Sequence, residues 1–136
     1  MPFSYTRTIH FPDTDAAGVV FFARYLAICH EAYEEALAAA GVELQTFFGQ
    51  HGVVVPISRS EASYLRPLVC GDRVRVEVTP SRLSEHAFAL DFIMMKVGRS
   101  GEKRAAVART EHVCITTVAR ERTPLPAPLA AWVDAG

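Results

Sequence analysis

The spacing of hydrophobic residues changes along the chain from two to three or four, and this change separates a strand from a helix. Residues 5–11 alternate in steps of two, which predicts a strand that ends at Pro12, because proline cannot continue a hydrogen-bonded ladder. Residues 13–18 are turn formers. Through residues 19–40 apolar positions recur every three or four residues, which predicts one helix that stops at Gly41. Its apolar stripe consists of Phe22, Tyr25, Leu26, Cys29, Tyr33, Ala36, Leu37 and Ala40.

A period of two returns after Gly52 and predicts four further strands. They cover residues 53–65 with an interruption or bend near Pro56, 73–79, 86–97 and 103–118, and short helical turns are expected within 42–50 and around 129–133. The residues predicted to face inward on the two middle strands are Val74, Val76 and Val78, and Phe88, Leu90, Phe92 and Met94.

The order strand, long helix, four strands is typical of a two-layer α+β domain, in which a five-stranded, mostly antiparallel sheet packs on one helix. We expect residues 1–136 to form one such domain. A single helix covers one face of the sheet. The opposite face is expected to carry apolar residues of its own, which predicts that another subunit covers it.

Composition and charge exclude several classes of function. The chain is 50% hydrophobic and 21% charged with a formal net charge of -1, so a general affinity for nucleic acid or anionic membranes is not expected. No apolar run reaches the ~18 residues of a membrane span, and no signal sequence is visible. The cysteines, Cys29, Cys70 and Cys114, lack CxxC spacing, so we expect free thiols and a cytoplasmic protein.

The histidines do not have the spacing of a metal site. His30 and Glu31 begin like the zinc signature HExxH, but Glu34 stands where the second histidine is required. On the flank of the predicted stripe, His30 is more often a structural residue than a ligand. A glycine-rich phosphate loop is also missing from the sequence. We therefore expect neither a metal nor a cofactor.

Two carboxylates, Asp13 and Asp15, precede the predicted helix and offer the strongest candidate chemistry. On spacing alone, capping of the helix is the favoured interpretation. In the catalytic interpretation, Asp15 is a nucleophile or general base, and a helix-start N–H near Phe22 polarises a carbonyl. Gly18 would allow a substrate to approach the backbone. A phosphatase of the haloacid dehalogenase type also has DxD after a strand, but its crossover helices are not predicted here.

The run Phe11-Pro12-Asp13-Thr14-Asp15-Ala16-Ala17-Gly18-Val19-Val20, followed by Phe21, Phe22 and Tyr25, closely resembles the start of the 4-hydroxybenzoyl-CoA thioesterase family. The family pattern is F-x-D-x-D-x-x-G-x-V with an aromatic pair and a tyrosine. The resemblance implies a hotdog fold, in which the sheet wraps around one long central helix, and thioester hydrolysis without a cofactor.

Within the family, residues 28–34 and the preceding loop are most similar to the cyanobacterial 1,4-dihydroxy-2-naphthoyl-CoA hydrolases. This resemblance implies release of 1,4-dihydroxy-2-naphthoate from CoA in phylloquinone biosynthesis. We expect a homodimer of hotdogs that assembles into a homotetramer. The alternatives are a thioesterase for 4-hydroxybenzoyl-CoA, aliphatic acyl-CoA or acyl-carrier protein, and a non-catalytic acyl-binding hotdog protein.

The resemblance assigns roles to individual residues. Asp15 is the catalytic aspartate, as nucleophile or general base, and the Phe22 N–H holds the oxyanion. The loop residues Gly18 and Val19 are expected to bind substrate, and His30 to face the aromatic acyl group.

One segment departs from the family. Where the 4-hydroxybenzoyl enzymes carry an Arg/Lys cluster for the CoA phosphates, this chain has residues 84–87, Ser-Glu-His-Ala. The phosphate contacts are therefore expected from Arg59, Arg66 or Arg82.

Overall fold

A five-stranded antiparallel sheet packed against one long helix forms the frame of the molecule. The structure is a computed structural model that describes residues 2–48 and 52–136. In chain order the elements are β1 (Phe3–Thr8), a 3-10 turn (Phe11–Asp13), α1 (Phe22–Ala39), α2 (Leu44–Phe47), β2 (Val53–Val54), β3 (Ile57–Tyr64), β4 (Arg73–Arg82), β5 (Ala87–Gly98), β6 (Gly101–Val113), β7 (Ile115–Thr116) and α3 (Ala127–Ala135). The main sheet has the order β1-β4-β5-β6-β3, and β2 pairs with β7. The α+β hotdog prediction is confirmed.

The central helix α1 begins at Phe22, three residues later than predicted. Val20 lies outside the helix because it pairs with Thr14 in an isolated bridge and donates its N–H to the Leu68 carbonyl. The buried face is also rotated relative to the predicted stripe, since Phe22 is 62% exposed. The buried residues are Tyr25, Ile28, Cys29, Ala32, Tyr33, Ala36 and Leu37.

The inner face of the sheet supplies the other half of the core. Val74, Val76 and Val78 on β4 are fully buried, as predicted. The predicted inward residues of β5 are buried as well, from Phe88 to Met94 in steps of two. These side chains pack against α1 in one hydrophobic core.

Two predicted strands differ from the structure, the first and the last. The first strand ends at Thr8, because the Ile9 N–H turns away to the Asp72 carbonyl and a 3-10 turn follows. The interruption or bend expected near Pro56 is present as a break that divides the predicted strand into β2 and β3. The last strand is interrupted at Cys114, whose N–H bonds to the His86 carbonyl. The helical turn predicted within 42–50 is α2, and residues 49–50 of that prediction lie outside the described residues.

The outer face of the sheet carries ion pairs as well as apolar side chains. Arg109 pairs with Asp91 and Glu111, and Arg75 pairs with Glu77 and Glu102. Ile93, Met95 and Val107 share this face in the sheet register, so the outer face carries apolar residues of its own as expected, and the subunit contact stays a prediction. In the described part of the chain, α1 and the shorter helices lack the length and apolar character needed to cross a membrane.

Candidate functional site

Residues 14–20 form a tight loop that leads into α1. The ends of the loop pair as an antiparallel bridge, and the Asp15 N–H donates to the Val19 carbonyl at 2.9 Å. The Gly18 N–H donates to the Asp15 carbonyl at 3.0 Å. Gly18 has a φ of 81°, and a Cβ at this position would meet open space, so glycine is required for its conformation rather than for close packing. The loop thus holds Asp15 in one backbone arrangement.

The Asp15 side chain is exposed and is oriented by its own loop. Its Oδ1 atom accepts the Ala17 N–H at 2.8 Å, which is an Asx-type contact. Within residues 2–48 and 52–136, Oδ2 has no hydrogen-bond partner. This second oxygen is available to accept a proton or to attack a carbonyl carbon.

Two backbone N–H groups at the start of α1 have no partner in the described part of the chain. The Phe21 N–H is taken by the Asp13 carbonyl at 3.0 Å, and the Arg24 N–H by the Phe21 carbonyl at 2.8 Å. The N–H groups of Phe22 and Ala23 between them remain free, and no side chain caps the helix. Free N–H groups at a helix N-terminus carry partial positive charge, so they can stabilise a developing oxyanion.

Asp13 lies buried beneath the loop and connects it to β1 and α1. Its Oδ1 accepts hydrogen bonds from Arg24 Nη2 at 2.6 Å and Nε at 3.2 Å. Its Oδ2 accepts hydrogen bonds from Arg7 and from the His10 N–H at 2.8 Å. Arg7 also donates to both oxygens of Glu31 on α1 at 3.1 Å. This buried network gives Asp13 a structural role, because it holds the turn before the Asp15 loop against β1 and α1.

The electrostatics of Asp13 keep it ionised. Burial alone would raise the pKa of its carboxyl, but the His10 N–H, the Arg24 hydrogen bonds and the charges of Arg7 and Arg24 hold the pKa below its usual range. An ionised, fully bonded carboxylate has no free lone pair for substrate. The two aspartates therefore differ in what they can do chemically.

A cavity of about 290 Å³ lies between the start of α1 and the end of β3. The Tyr64 hydroxyl donates to the Phe22 carbonyl at 3.3 Å, and the Tyr25 and Tyr64 rings meet edge to face with centroids 4.8 Å apart. These aromatic walls suit a flat, aromatic ligand. The cavity is lined by Val19, Val20, Phe22, Tyr25, Tyr64, Leu65, Arg66 and Pro67.

The sequence profile of the thioesterase-like superfamily matches residues 9–133, which is nearly the whole chain and includes the loop, α1 and four of the five strands of the main sheet. The chain belongs to this superfamily. It is 49% identical over 129 residues to the 1,4-dihydroxy-2-naphthoyl-CoA hydrolase of Thermosynechococcus vestitus, covering 95% of this chain and 86% of that protein. It is 46% identical over 129 residues to the protein of the same name from Microcystis aeruginosa, with coverages of 95% and 91%.

Solved structures give the same family. The crystal structure of a 1,4-dihydroxy-2-naphthoyl-CoA thioesterase from Synechocystis superposes with a TM-score of 0.91 at 34% identity, covering 98% of this chain and 96% of that one. A thioesterase-like protein from Prochlorococcus marinus superposes with the same TM-score at 32% identity and coverages of 98% and 94%. The predicted family resemblance is confirmed.

The thioesterase-like fold brings together four of the six predicted site residues. Asp15 and Gly18 lie in the loop, while Val19 and Phe22 line the cavity. His30 lies eight residues beyond Phe22, about 12 Å along the helix axis. Its Nδ1 contacts Glu34 Oε2 at 2.7 Å.

The surroundings of His30 belong to another part of the fold. Its ring lies 6.1 Å from the Phe48 ring, and Phe48 lines a separate cavity of about 680 Å³ beyond the C-terminal end of α1. Within one chain, His30 therefore does not share the cavity of the Asp15 loop.

Arg59 is also separated from the loop. It lies near the far end of β3, five residues from Tyr64, a distance of about 17 Å along the strand. Its guanidinium lies 3.6 Å from Glu61. Within one chain, neither Arg59 nor His30 reaches Asp15, and their predicted roles stay predictions.

Sequence reasoning missed Tyr64 as a cavity residue and named Arg66 only as a candidate for phosphate contacts. Tyr64 ends β3 and Arg66 follows it, and this strand reaches α1 only through the topology of the sheet, so no local spacing marks either residue as part of the cavity. Tyr25 could have been found, because it follows Phe22 by three residues on the helix. Metal chemistry has no candidate in the described ranges, where no three His, Cys, Asp or Glu side chains are grouped to hold an ion.

Proposed function

We propose that this chain is a thioester hydrolase that acts on 1,4-dihydroxy-2-naphthoyl-CoA. The observation that carries the proposal is that, among the described residues, one carboxylate oxygen of Asp15 has no partner in the loop that leads directly to the Phe22 N–H, which also has none. The relatives named as hydrolases of this thioester support the substrate, since they match at least 95% of this chain. The step in phylloquinone biosynthesis remains a prediction from the resemblance.

The proposed mechanism uses the Asp15 carboxylate and the Phe22 N–H. As general base, Asp15 takes a proton from water while the water oxygen bonds to the thioester carbonyl carbon. The carbonyl oxygen becomes an oxyanion, which the Phe22 N–H stabilises. Collapse of this intermediate breaks the carbon–sulfur bond and releases CoA as the thiolate, with the carboxylic acid as the second product.

Asp15 can alternatively act as the nucleophile. Its oxygen then bonds to the carbonyl carbon, CoA leaves, and water hydrolyses the resulting anhydride. Hydrolysis in ¹⁸O-labelled water under single-turnover conditions tests the nucleophilic route. Label in Asp15 after turnover supports an anhydride that water opens at the aspartyl carbonyl, whereas label only in the product acid excludes that bond cleavage and is the result expected for the general base or for attack at the acyl carbonyl.

The aromatic walls favour an aromatic acyl group. Tyr25, Tyr64 and Phe22 form an apolar surface whose rings can pack on a naphthoyl ring system. A panel of 1,4-dihydroxy-2-naphthoyl-CoA, 4-hydroxybenzoyl-CoA and aliphatic acyl-CoA thioesters, assayed by thiol release, tests this choice. Turnover highest with the naphthoyl substrate supports the proposal. If turnover is highest with an aliphatic thioester, the proposed substrate is contradicted. If the thioesters bind without turnover, the proposal that the protein is an enzyme is contradicted.

The Asp15→Asn variant tests the catalytic group. An asparagine side-chain oxygen can still accept the Ala17 N–H, so the loop and the melting temperature should be retained. We expect kcat to fall by about three orders of magnitude, because the amide is neither a base nor a nucleophile. A folded variant with near wild-type turnover would refute the role of Asp15.

We further propose that the protein works as a homodimer assembled into a homotetramer, without a cofactor. β3 is an edge strand of the main sheet, and two copies of one edge can pair around a twofold axis. Light scattering after size exclusion measures the mass, and a monomer at assay concentration contradicts this proposal. Dialysis against EDTA should leave kcat unchanged.

A further inference from the structure

Basic side chains without an acidic partner are concentrated at one end of the sheet. Among the described residues, seven of the 14 lysines and arginines pair with a carboxylate. Of the others, Arg120 and Arg122 follow β7. The remaining unpaired residues, which we call the basic end, are Arg66, Arg73, Arg99, Lys103 and Arg104.

Backbone pairing places the basic end beside the Asp15 loop. The β1 residue Thr8 pairs with Arg73, and Arg73 pairs with Val97, so the end of β1 lies at the same end of the sheet as the β5–β6 hairpin. The connection before β4 bonds to the segments that flank the loop, through Ile9 to Asp72 and Val20 to Leu68, both at 2.8 Å. The unpaired positive charge therefore lies at the same end of the sheet as the catalytic groups.

Arg66 joins the basic end to the cavity. The N–H groups of Leu65 and Arg66 donate to the Ala105 carbonyl at 2.8 and 3.0 Å, and Arg66 Nη1 donates to the Arg104 carbonyl at 2.8 Å. These bonds hold the side chain against β6. Arg66 also lines the cavity together with Phe22, and its other guanidinium donors face no carboxylate in the described structure.

The register of the sheet separates Lys103 from its neighbour Arg104. Lys103 shares a row with Lys96 and the fully buried Val74, so it lies on the face that α1 covers. Arg104 shares a row with Arg75, which pairs with Glu102 on the outer face. Lys103 therefore lies on the same face of the sheet as the site, whereas Arg104 lies on the opposite face.

We propose that Arg66 and Lys103 bind phosphate groups of the CoA part of the substrate. The inference rests on the proposed thioesterase function, which places the thioester at Asp15, in the loop whose residues Val19 and Val20 line the same cavity as Arg66. A guanidinium binds phosphate oxygens through two parallel hydrogen bonds, and an ammonium adds a point charge. Of the three arginines expected from the sequence, Arg59 and Arg82 are paired with Glu61 and Asp134, which leaves Arg66.

Binding of the nucleotide alone tests the proposal without requiring catalysis. Calorimetry with adenosine 3′,5′-bisphosphate and with CoA is performed on the wild type and on Arg66→Gln, Lys103→Gln and Arg104→Gln. We expect the first two variants to weaken binding by about tenfold or more, as for a lost charge-assisted hydrogen bond. The matched control Arg104→Gln removes an unpaired charge from the same end but the other face, and should stay within about twofold.

Kinetics provide the second readout. Arg66→Gln should raise KM for the naphthoyl-CoA thioester by about tenfold with little change in kcat, because phosphate contacts are equal in ground and transition states. KM for the N-acetylcysteamine thioester, which has no phosphates, should not change. Arg66→Lys keeps the positive charge but cannot make two parallel hydrogen bonds, so its KM for the naphthoyl-CoA thioester should lie between those of the wild type and Arg66→Gln. Melting temperatures of the variants confirm that they are folded.

The outcomes separate this inference from the proposed function. Equal weakening by Arg66→Gln and Arg104→Gln would overturn the site in favour of diffuse electrostatic attraction. Weakening by Arg122→Gln without an effect of Arg66→Gln would overturn it in favour of the opposite end of the sheet. A wild type that hydrolyses none of the thioesters contradicts the proposed function, while the nucleotide titrations still decide the phosphate site.

Discussion

Replacing Asp13 by asparagine should destabilise the fold far more than replacing an exposed aspartate. Asp13 has 3% of its side chain exposed and binds Arg7 and Arg24, whose side chains are 12% and 40% exposed. Removal of the charge leaves both guanidinium groups without their shared partner. Truncating one member of a buried ion pair typically costs about 3 to 5 kcal/mol.

The surroundings of Asp13 reduce this figure. Arg24 is exposed enough to regain water, and Arg7 keeps Glu31 as a partner at 3.1 Å. The asparagine oxygen can also still accept the His10 N–H. We therefore expect a loss near the lower limit, about 3 kcal/mol, which corresponds to about 10 °C in melting temperature for a domain of this size.

Thermal and urea unfolding of Asp13→Asn, with Asp91→Asn as the matched control, measure this loss. Asp91 is 52% exposed and pairs with Arg109 at 2.9 Å, so its replacement should cost less than about 1 kcal/mol. Because the folded pKa of Asp13 is lowered, its contribution is present above the ordinary pKa of 3.8 and lost as pH falls through the folded value. Equal losses for the two variants at pH 7 would refute the buried network as the anchor of the loop.

Three further outcomes follow from the structure. Gly18→Ala should cost about 1 kcal/mol in urea unfolding, because φ is 81° while space for the methyl group is open; an unchanged midpoint would contradict the required conformation. His112 is 1% exposed, and burial lowers its pKa to about 4, so the free energy of unfolding should fall by about 2 kcal/mol from pH 8 to pH 5 as the unfolded state gains a proton. His112→Phe should remove that part of the pH dependence, and an identical slope in the variant would show that other groups cause it. Tyr64→Phe loses only the 3.3 Å bond to the Phe22 carbonyl and keeps the aromatic wall, so KM for the naphthoyl thioester should stay within about twofold, whereas Tyr64→Ala should raise it by about tenfold through loss of the ring.

The sequence by itself determined the architecture and the location of the chemistry. Period-two segments and one helical segment predicted the α+β sheet and central helix, because side chains on each element must alternate between core and solvent. The run from Phe11 to Val20 identified the family, and the turn chemistry of Asp15 and Gly18 is local, so their placement in one loop followed from the sequence. Local capping rules also indicated N–H groups near Phe22.

Tertiary structure decided which residues meet, because those contacts join segments far apart in the chain. The rotation of the buried helix face, with Phe22 exposed, depends on how α1 sits on β1 and β4. Arg66 reaches the cavity through the pairing of β3 with β6, and Lys103 differs from Arg104 only through the register of that sheet. The different roles of the two aspartates are likewise a tertiary property. Arg7 and Arg24 donate hydrogen bonds to both oxygens of Asp13, whereas in the described part of the chain one oxygen of the exposed Asp15 has no hydrogen-bond partner.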